Sequence, residues 1–391
     1  MFKSLRSWAA ALFILNIACS SSEPEPTGPR PGDFVEGWPQ RVDDQPVQFV
    51  PLASGGVVGR GRTHVNSRNL RSPGKIIRYD VAEGGLSQAD LIEGGVRTYG
   101  PFVLDAQQRV LTAEGGIEPN FQLRMCRIHA SEGTFDPSFG QGGCVSFSDM
   151  QYGNVVDIIA LPSGGVLVSM SGGDAPLVQL TSTGVFDSGF GTDGVVRQFA
   201  HVSSLAAQSD GRVLLSFPRL ADGTRGKLVR ILPSGALDSS FGQGGEIPEA
   251  GGILQVGADD SFMVWSGQSL FSYLADGTPD VTFGTNGSVN VQELTGTTTS
   301  PFGIRAFTRD ASGRIYVSAG FGTEASGFGG LLVRLTPSGS LDPDFQLRLG
   351  DGIHLHQVGS ALAIGADGKV WTMMSFDPNY QNAMRLVLIH P

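Results

Sequence analysis

One short phrase, Gly-x-x-Asp-x-x-Phe, occurs five times along this 391-residue chain and constrains its fold more than any other feature. The copies begin at Gly133, Gly184, Gly235, Gly277 and Gly339. Four of them continue as Phe-Gly-x-x-Gly, whereas the fifth reads FQLRL, and degenerate copies around Phe34 and Leu91 bring the count to seven. A spacing of about 50 residues indicates that the chain is built from repeated structural units.

Two further elements keep the same spacing as the phrase. A turn-like segment followed by an apolar run occurs seven times, near Gly55, Gln108, Gly164, Gly211, Asp260, Gly313 and Gly368. A strand-like segment follows each turn, at residues 76–79, 123–128, 177–180, 228–231, 270–274, 331–335 and 385–389. Each unit is therefore predicted to contain four short antiparallel strands joined by two tight turns, which is typical of a propeller blade.

Composition and the positions of the two ends agree with this prediction. The chain has 56 Gly and 22 Pro, which suit tight turns, and 40% hydrophobic residues, which are enough for a core. Sustained helical periodicity is absent from the sequence, which disfavours a helical solenoid. The repeat begins with an outer-strand copy at residues 34–42 and ends with a third strand at residues 385–389. We predict an all-β, seven-bladed β-propeller closed by pairing of its N-terminal and C-terminal strands, which leaves no open sheet edge.

The repeated Asp and Phe have structural explanations. An Asp in a turn accepts backbone N–H groups, and a Phe fills the interface between neighbouring blades. The alternative is a ring of calcium ligands formed by the five aspartates, Asp136, Asp187, Asp238, Asp280 and Asp342. Each of them stands alone in the sequence, without the clustered oxygen ligands that Ca²⁺ requires. We therefore predict no metal site and no cofactor.

The phrases FDPSFGQGG, LDSSFGQGG, PDVTFGTNG and LDPDF resemble the delta-60 repeat of bacterial surface and secreted proteins. The resemblance covers roughly residues 34–391 and is specific in the middle five units. It implies a propeller fold. It implies no activity, because that family has no established common one.

The N-terminal segment has the pattern of a signal peptide. Lys3 and Arg6 precede ten apolar residues at 9–18, which are too few to span a bilayer. The sequence Ala18-Cys19-Ser20 resembles the lipobox of bacterial lipoproteins, although Asn16 stands where Leu is usual. We expect a signal peptide at 1–18, a lipid-anchored disordered tether at 19–33 that begins with acylated Cys19, and a propeller at 34–391. Ordinary secretion is the alternative.

Ser20 resembles the residue that follows the lipidated Cys in lipoproteins sorted to the outer membrane. The expected location is therefore the bacterial cell envelope, on a side of the outer membrane that the sequence does not identify. The expected form is a monomer held to the membrane by lipid alone. The chain has 27 basic and 37 acidic residues, a net charge of −10, which argues against nucleic-acid binding through phosphates.

Function is predicted less specifically than fold. The sequence contains no His-Glu-x-x-His, Cys-x-x-Cys, Walker or Gly-x-Ser-x-Gly motif. The leading hypothesis is a binding or scaffold module for an envelope protein, peptide or glycan. The alternative is a propeller enzyme of the lactonase, lyase or glycosidase type, with its site at the central opening. Such a site leaves no local motif because several blades contribute to it.

Candidate site residues lie on the face formed by the loops between second and third strands and between blades. These loops vary in sequence, so we call it the varied face, and the opposite one the repeated face. Loops on a rigid scaffold often carry binding residues. The first group of candidates is a basic loop, residues 59–75, with Arg60, Arg62, Arg68 and Arg71. The alternative is an ordinary solvated loop.

Two further groups lie on the same face. His354 and His356 would point to one side of a strand, which suits metal ligation or proton transfer, although ordinary histidines are the alternative. The last group is expected to form the rim of the central opening, where the side chains either bind a ligand or plug the channel. It consists of Tyr99, Tyr152, His201, Phe302 and His356.

Two cysteines remain after Cys19. Cys126 and Cys144 fall on the predicted third and fourth strands of one unit, so a disulfide is possible in an oxidising compartment. In the chain-entropy model such a bond contributes about 3 kcal/mol. Two buried free thiols are the alternative.

Overall fold

The computed structural model describes residues 28–42, 45–62, 74–82, 85–91, 98–115, 123–147, 154–171, 176–218, 226–300, 302–323, 327–347, 355–376 and 384–391. These residues form β-strands and turns, together with one helical turn, α1 (Val291–Leu294). The side chain of Asn290 caps α1 by accepting the backbone N–H of Glu293. No helix among the described residues is long and apolar enough to cross a bilayer.

The strands group into seven blades. The chain enters the ring through β1 (Gln40–Arg41). Blade 1 consists of β2 (Gln45–Pro51), β3 (Val57–Arg62), β4 (Gly74–Ala82) and β5 (Gly85–Asp90). Blade 2 consists of β6 (Thr98–Leu104), β7 (Arg109–Gly115), β8 (Leu123–His129) and β9 (Cys144–Ser146). Blade 3 consists of β10 (Asn154–Ala160), β11 (Val166–Ser171), β12 (Leu177–Leu180) and β13 (Val195–Val196).

The second half of the ring continues the pattern. Blade 4 consists of β14 (Ser204–Ala207), β15 (Val213–Phe217), β16 (Lys227–Ile231) and β17 (Glu246–Pro248). Blade 5 consists of β18 (Ile253–Val256), β19 (Phe262–Ser266), β20 (Ser269–Tyr273) and β21 (Ser288–Asn290). Blade 6 shows three strands in the described residues, β22 (Phe302–Arg309), β23 (Ile315–Thr323) and β24 (Gly327–Leu335). Blade 7 contains β25 (Gln357–Ile364), β26 (Val370–Ser375) and β27 (Met384–Ile389).

Neighbouring strands within a blade pair antiparallel in chain order. The first strands of adjacent blades pack against each other, as β6 does against β10 and β22 against β25, so the first strand of each blade is the innermost. The buried side chains fill the spaces between blades; one such cluster combines Leu111 of blade 2 with Val168 of blade 3. The predicted all-β, seven-bladed β-propeller is confirmed.

Closure of the ring depends on the segment at residues 31–42. Strand β1 pairs with β27, with Gln40 opposite Leu386, and so supplies the outer strand of blade 7. Trp38 is 8% exposed and meets Trp371 edge-on, with ring centroids 5.5 Å apart. The two ends of the chain therefore complete one sheet, as predicted from the repeat.

The turn between the first and second strands takes the same form in all seven blades. Each contains one residue with positive φ at the predicted position, and five of the seven are Gly. The other two are Gln108, with φ +62°, and Asp260, with φ +60°. A backbone in this region favours glycine, which explains why the turn phrase recurs with so little variation.

A joint between neighbouring blades explains the Phe and Gly of the repeat. Phe190 of blade 3 is 1% exposed, and a Cβ on Gly235 of blade 4 would lie 3.0 Å from its ring. Next to it the N–H of Gly191 donates to the carbonyl of Ser234 at 2.9 Å. Any side chain at Gly235, where φ is +83°, would collide with the ring and strain the turn.

The same joint recurs around the ring. Backbone N–H groups donate to the next blade from Gly140 to Thr183 at 2.8 Å and from Gly284 to Ser338 at 2.8 Å. In the degenerate copy, Leu91 is 2% exposed and its carbonyl lies 2.5 Å from where a Cβ on Gly133 would be. Leu91 therefore meets the Gly133 turn through its backbone rather than through a side-chain ring.

A disulfide joins the third and fourth strands of blade 2. Cys126 on β8 lies opposite Cys144 on β9, with Cα atoms 4.1 Å apart and the sulfurs bonded at 2.07 Å. Both residues are buried. The geometry is thus compatible with the pairing considered from the sequence.

Closure can be tested by two truncations. Removal of residues 1–42 takes away β1 and leaves β27 as an open edge, so we expect loss of cooperative unfolding and aggregation. Removal of residues 1–27 is the matched control and should leave the thermal midpoint unchanged. Thermal denaturation followed by circular dichroism, with light scattering, measures both. Equal stability of the two truncated chains would contradict closure by β1.

Candidate functional site

A cleft lies between blades 6 and 7 on the varied face. It has a volume of about 250 Å³ and opens where the innermost strands β22 and β25 begin. Two residues predicted from the sequence contribute to it, Phe302 and His356. The other lining residues are Gly303, Ile304, Arg305, Gly320, Phe321, Gly322, Gly329 and Gln357. Sequence reasoning placed the site on this face but did not identify most of its lining.

Glycines shape the walls of the cleft. A Cβ on Gly329 would lie 2.2 Å from the ring of Phe321, so the missing side chain lets that ring lie against the backbone of β24. A Cβ on Gly303 would meet nothing within 4 Å. Its φ is not positive, so this position accepts a side chain that would extend into the cleft. Gly303 is therefore a position at which a Cβ can be added without a clash.

Arg305 is placed in the cleft by a β-bulge. The register between β22 and β23 shifts between Ile304 and Ala306, so Arg305 is the extra residue on β22. Its guanidinium lies across Gly320, whose Cβ would be 3.0 Å from Nε. Arg305 is exposed and makes no hydrogen bond or ion pair with the described residues. The sequence shows an ordinary strand here, and no signal in it identifies the bulge.

Two more polar side chains face the same space. The backbone N–H of His356 donates to the carbonyl of Ser375 at 3.0 Å, which fixes the segment before β25. The side chains of His356 and Gln357 are half-buried and make no hydrogen bond with the described residues. The cleft therefore presents a cation, an imidazole and an amide beside two aromatic rings. Its described lining contains no carboxylate.

The remaining predicted rim residues are not brought to this cleft. His201 is exposed between β13 and β14, with φ +66°. Tyr99 lies in β6, where only its backbone is described, and Tyr152 is outside the described residues. His354 is also outside them, and His356 precedes β25 rather than lying within a strand, so the prediction of a strand at His356 is wrong.

The predicted basic loop at residues 59–75 is wrong at both ends. Strand β3 continues to Arg62 and β4 begins at Gly74. The antiparallel pairing that begins at Val57 and Tyr79 continues without interruption as far as Arg62 and Gly74. Arg60 therefore lies in a strand, half-buried, and Lys75 pairs with Asp90 at 3.0 Å. Arg68 and Arg71 lie outside the described residues, as does Cys19.

A second cavity, of about 330 Å³, lies on the repeated face between blades 1 and 2. Arg78 and Arg109 line it, and both are already paired: Arg78 with Asp80 at 2.7 Å, and Arg109 with Asp105 at 2.7 Å. Its cations are therefore engaged within the fold. The cleft between blades 6 and 7 is the better candidate for a ligand site, because its cation, Arg305, makes no ion pair with the described residues.

The repeated aspartates act within the turns, as predicted. In every copy Oδ1 of the Asp accepts the backbone N–H two residues later, at 2.9–3.1 Å, in Asp136, Asp187, Asp238, Asp280 and Asp342. No group of three or more His, Cys, Asp or Glu among the described residues is close enough to hold a metal ion.

In three copies the Asp also forms an ion pair with an Arg on the third strand. Oδ2 of Asp136 accepts from Arg127 Nε at 2.8 Å and from Arg109 Nη1 at 2.9 Å, and both Asp136 and Arg127 are buried. Burial opposes ionisation, but hydrogen bonds from Ser138 and the charge of Arg127 outweigh it and hold the pKa of Asp136 well below its ordinary range. In blade 3 the partner is neutral: Gln179 Nε2 donates to Asp187 Oδ2 at 2.8 Å.

This difference provides a matched pair of variants. Asp136→Asn keeps the turn but leaves Arg127 buried without its carboxylate, so we expect a loss of about 3 kcal/mol of unfolding free energy. Asp187→Asn alters the same turn position beside neutral Gln179 and should cost less than about 1 kcal/mol. Urea denaturation measures both. Equal losses would show that the ion pair contributes nothing beyond the turn.

Polar side chains also connect the innermost strands of neighbouring blades. Gln48 Nε2 donates to the carbonyl of Phe102 at 2.8 Å, and Gln255 Nε2 donates to that of Phe307 at 2.8 Å. Between blades 3 and 4 the connecting group is a carboxylate, Asp157, whose Oδ2 accepts the N–H of Leu205 at 2.8 Å. Burial raises the pKa of Asp157 to about 6, even though the N–H groups of Leu205 and Ile158 favour its charged form.

The raised pKa predicts a pH dependence. The folded protein holds this proton more tightly than the unfolded chain, so stability falls as the pH rises from about 4 to above 6. Asp157→Asn is neutral throughout. We expect the unfolding free energy of Asp157→Asn minus that of the parent protein to increase from pH 4 to pH 7, by on the order of 2–3 kcal/mol. Urea denaturation across this range measures the difference, and parallel curves would contradict the assignment.

Comparison with known families identifies a propeller repeat. Residues 208–241 and 311–345 match the family model described as a domain of unknown function (DUF5122) beta-propeller. Each segment ends on the Phe of a repeat, at Phe241 and Phe345, so the two matches fall at equivalent places in blades 4 and 6. No curated protein matches the chain.

Several solved structures are similar to this chain at low sequence identity. Puromycin hydrolase is 14% identical over 93% of this chain and 55% of its own, with a TM-score of 0.49. PorZ, a surface component of the type-IX secretion system of Porphyromonas gingivalis, is 11% identical over 90% of this chain and 47% of its own, with a TM-score of 0.47. A putative glucose dehydrogenase of Thermus thermophilus is 16% identical over 92% of this chain and 99% of its own, with a TM-score of 0.42.

Proposed function

We propose that this chain is a binding module of the bacterial cell envelope, which captures a protein, peptide or glycan in the cleft between blades 6 and 7. The observation that carries the proposal is the convergence of Arg305, His356 and Gln357 beside Phe302 and Phe321. In the described structure these three polar side chains have no hydrogen-bonding partner. Concave sites that combine aromatic walls with a few convergent polar groups are typical of ligand binding.

The N-terminal sequence supports the cellular location. Cys19 follows Ala18 in a segment that resembles a lipobox, and Ser20 resembles the residue found in lipoproteins of the outer membrane. We propose that the mature protein is anchored by lipid on Cys19 and that residues 20–30, with three prolines, form an extended tether. The tether ends earlier than the sequence predicts, because Pro31, Gly32 and Asp33 hydrogen-bond to the propeller. The propeller is then held at the membrane as a monomer without a protein segment that crosses it.

The geometry favours binding over catalysis. A propeller hydrolase or lyase needs an acid and a base, or a metal ion, placed within reach of one substrate. The described lining of the cleft contains one imidazole and no carboxylate. Asp157, whose pKa is strongly perturbed, lies between blades 3 and 4, where it accepts the backbone N–H groups of Leu205 and Ile158.

Photo-crosslinking in cells tests the proposal. A photoreactive amino acid at position 303 would point into the cleft, and we expect it to crosslink to a discrete partner in the envelope. The matched control is the same amino acid at position 131, which is exposed beside the second cavity on the repeated face.

A variant that blocks the cleft distinguishes binding in the cleft from binding elsewhere on the disc. Gly303→Leu adds a side chain whose Cβ meets nothing within 4 Å, and it should abolish partner capture by the purified protein while leaving its thermal midpoint unchanged. Undiminished capture by the Gly303→Leu protein, or crosslinking only from position 131, would show that the binding surface lies elsewhere.

A further inference from the structure

The geometry points to a carboxylate as the ligand group that the cleft recognises. We propose that the guanidinium of Arg305 binds a single carboxylate while the apolar part of the same ligand packs on Phe302 and Phe321. This proposal rests on the proposed function of the cleft and adds the chemical class of its ligand. Two sources share this chemistry, the C-terminus of a peptide and a uronic-acid unit of a glycan.

Arg305 differs from most other arginines in the described residues. Six of them form ion pairs with an Asp of the same blade at 2.7–2.8 Å: Arg78, Arg109, Arg127, Arg230, Arg314 and Arg334. Arg305 makes no such pair in the described structure, and the bulge at Ile304 and Ala306 directs it out of the regular sheet. A guanidinium presents up to five N–H donors in a fixed planar fork, and those of Arg305 are available to a ligand.

Gly320 positions this guanidinium. The Nε of Arg305 lies 3.0 Å from where a Cβ on Gly320 would be, so the side chain lies against bare backbone on β23. Gly303 and Gly320 are directly opposite in the ladder, so the pairing of β22 with β23 carries no side chain at this position. The guanidinium therefore lies over the backbone of β23 at the mouth of the cleft, where its N–H donors are open to a ligand.

The charge of the surroundings favours a monoanion. The whole chain carries a net charge of −10, which repels multiply charged anions. Within its described lining the cleft contains one cation and no acid. A planar fork matches a planar carboxylate in a bidentate pair, whereas tight phosphate sites usually draw on several donors or charges. A single carboxylate is the anion that one arginine neutralises completely.

The rest of the lining suits a small group attached to that carboxylate. A volume of about 250 Å³ is below the roughly 300–1,000 Å³ of sites for drug-sized molecules, so the cleft accommodates one terminal unit rather than a long segment. Phe302 is 7% exposed and its ring supplies an apolar wall. The amide of Gln357 and the imidazole of His356 supply further hydrogen bonds to a peptide amide or a sugar hydroxyl.

Calorimetric titration of the mature full chain tests this assignment with paired probes. The peptide arm compares N-acetyl-alanyl-alanine with its C-terminal amide. The glycan arm compares a galacturonic acid trimer with a galactose trimer, and inorganic phosphate is titrated separately. We expect binding of at least one carboxylate probe, and no measurable binding of its neutral counterpart or of phosphate. The arm that binds identifies the source.

Variants assign the effect to Arg305. Arg305→Gln should weaken binding of the carboxylate probe roughly 10- to 100-fold, as expected when a charged hydrogen-bonding partner is removed. Arg385→Gln is the matched control, because Arg385 is also exposed and makes no ion pair with the described residues, but lies on β27 away from the cleft. It should change affinity by less than about twofold.

The outcomes separate this inference from the proposed function. Equal affinity of the acid and amide probes, or unchanged binding by Arg305→Gln, would overturn the carboxylate assignment. If Gly303→Leu still abolishes capture of the envelope partner in that case, the cleft remains a binding site with a different ligand. If no probe binds and Gly303→Leu captures the partner normally, both proposals fail.

Discussion

The contact between one blade's phenylalanine and the next blade's glycine turn is the interaction on which the ring depends. Phe139, Phe190, Phe241 and Phe283 are each no more than 1% exposed, and each lies against a glycine that could not carry a side chain. The adjacent backbone hydrogen bond fixes the angle between neighbours. At the end of the series the carbonyl of Pro31 accepts the N–H of Gln346 at 3.4 Å, so the N-terminal segment forms the last joint.

The contacts between Phe and Gly that join the blades restrict the sequence on one face of the disc. The turns that carry Gly, Asp and Phe all lie on the repeated face, where Asp136, Asp238 and Asp342 are also tied to arginines. The opposite loops take no part in these contacts and are free to differ in length and sequence. The bulge that presents Arg305 recurs on the first strands of blades 1 and 3, where the extra residues are Val47 and Val156. What differs in blade 6 is the residue at the extra position, which is an arginine.

Most of the architecture was predictable because the same local solution is used seven times. A turn with positive φ and a buried Phe recur at a fixed spacing, so the strands, their order and the closure by β1 follow from the repeat. The cleft was only partly predictable. Phe302 and His356 were identified from their position between blades, whereas Arg305 depends on a bulge and Gly303 on an empty space, neither of which has a sequence signature. The limits of the basic loop were missed because strands β3 and β4 extend beyond their apolar residues.

The route by which the chain enters the ring has a consequence for orientation. Phe34 bridges Ile389 and the N–H of Gly32 donates to the carbonyl of His390 at 2.9 Å, so the N-terminal segment joins blade 7 at the C-terminal end of β27. That end belongs to the repeated face, whereas β22 and β25 open the cleft at the other. Under the proposed lipid anchor on Cys19, the disc would therefore be attached through its repeated face. The same anchor would leave the cleft on the face directed away from the membrane.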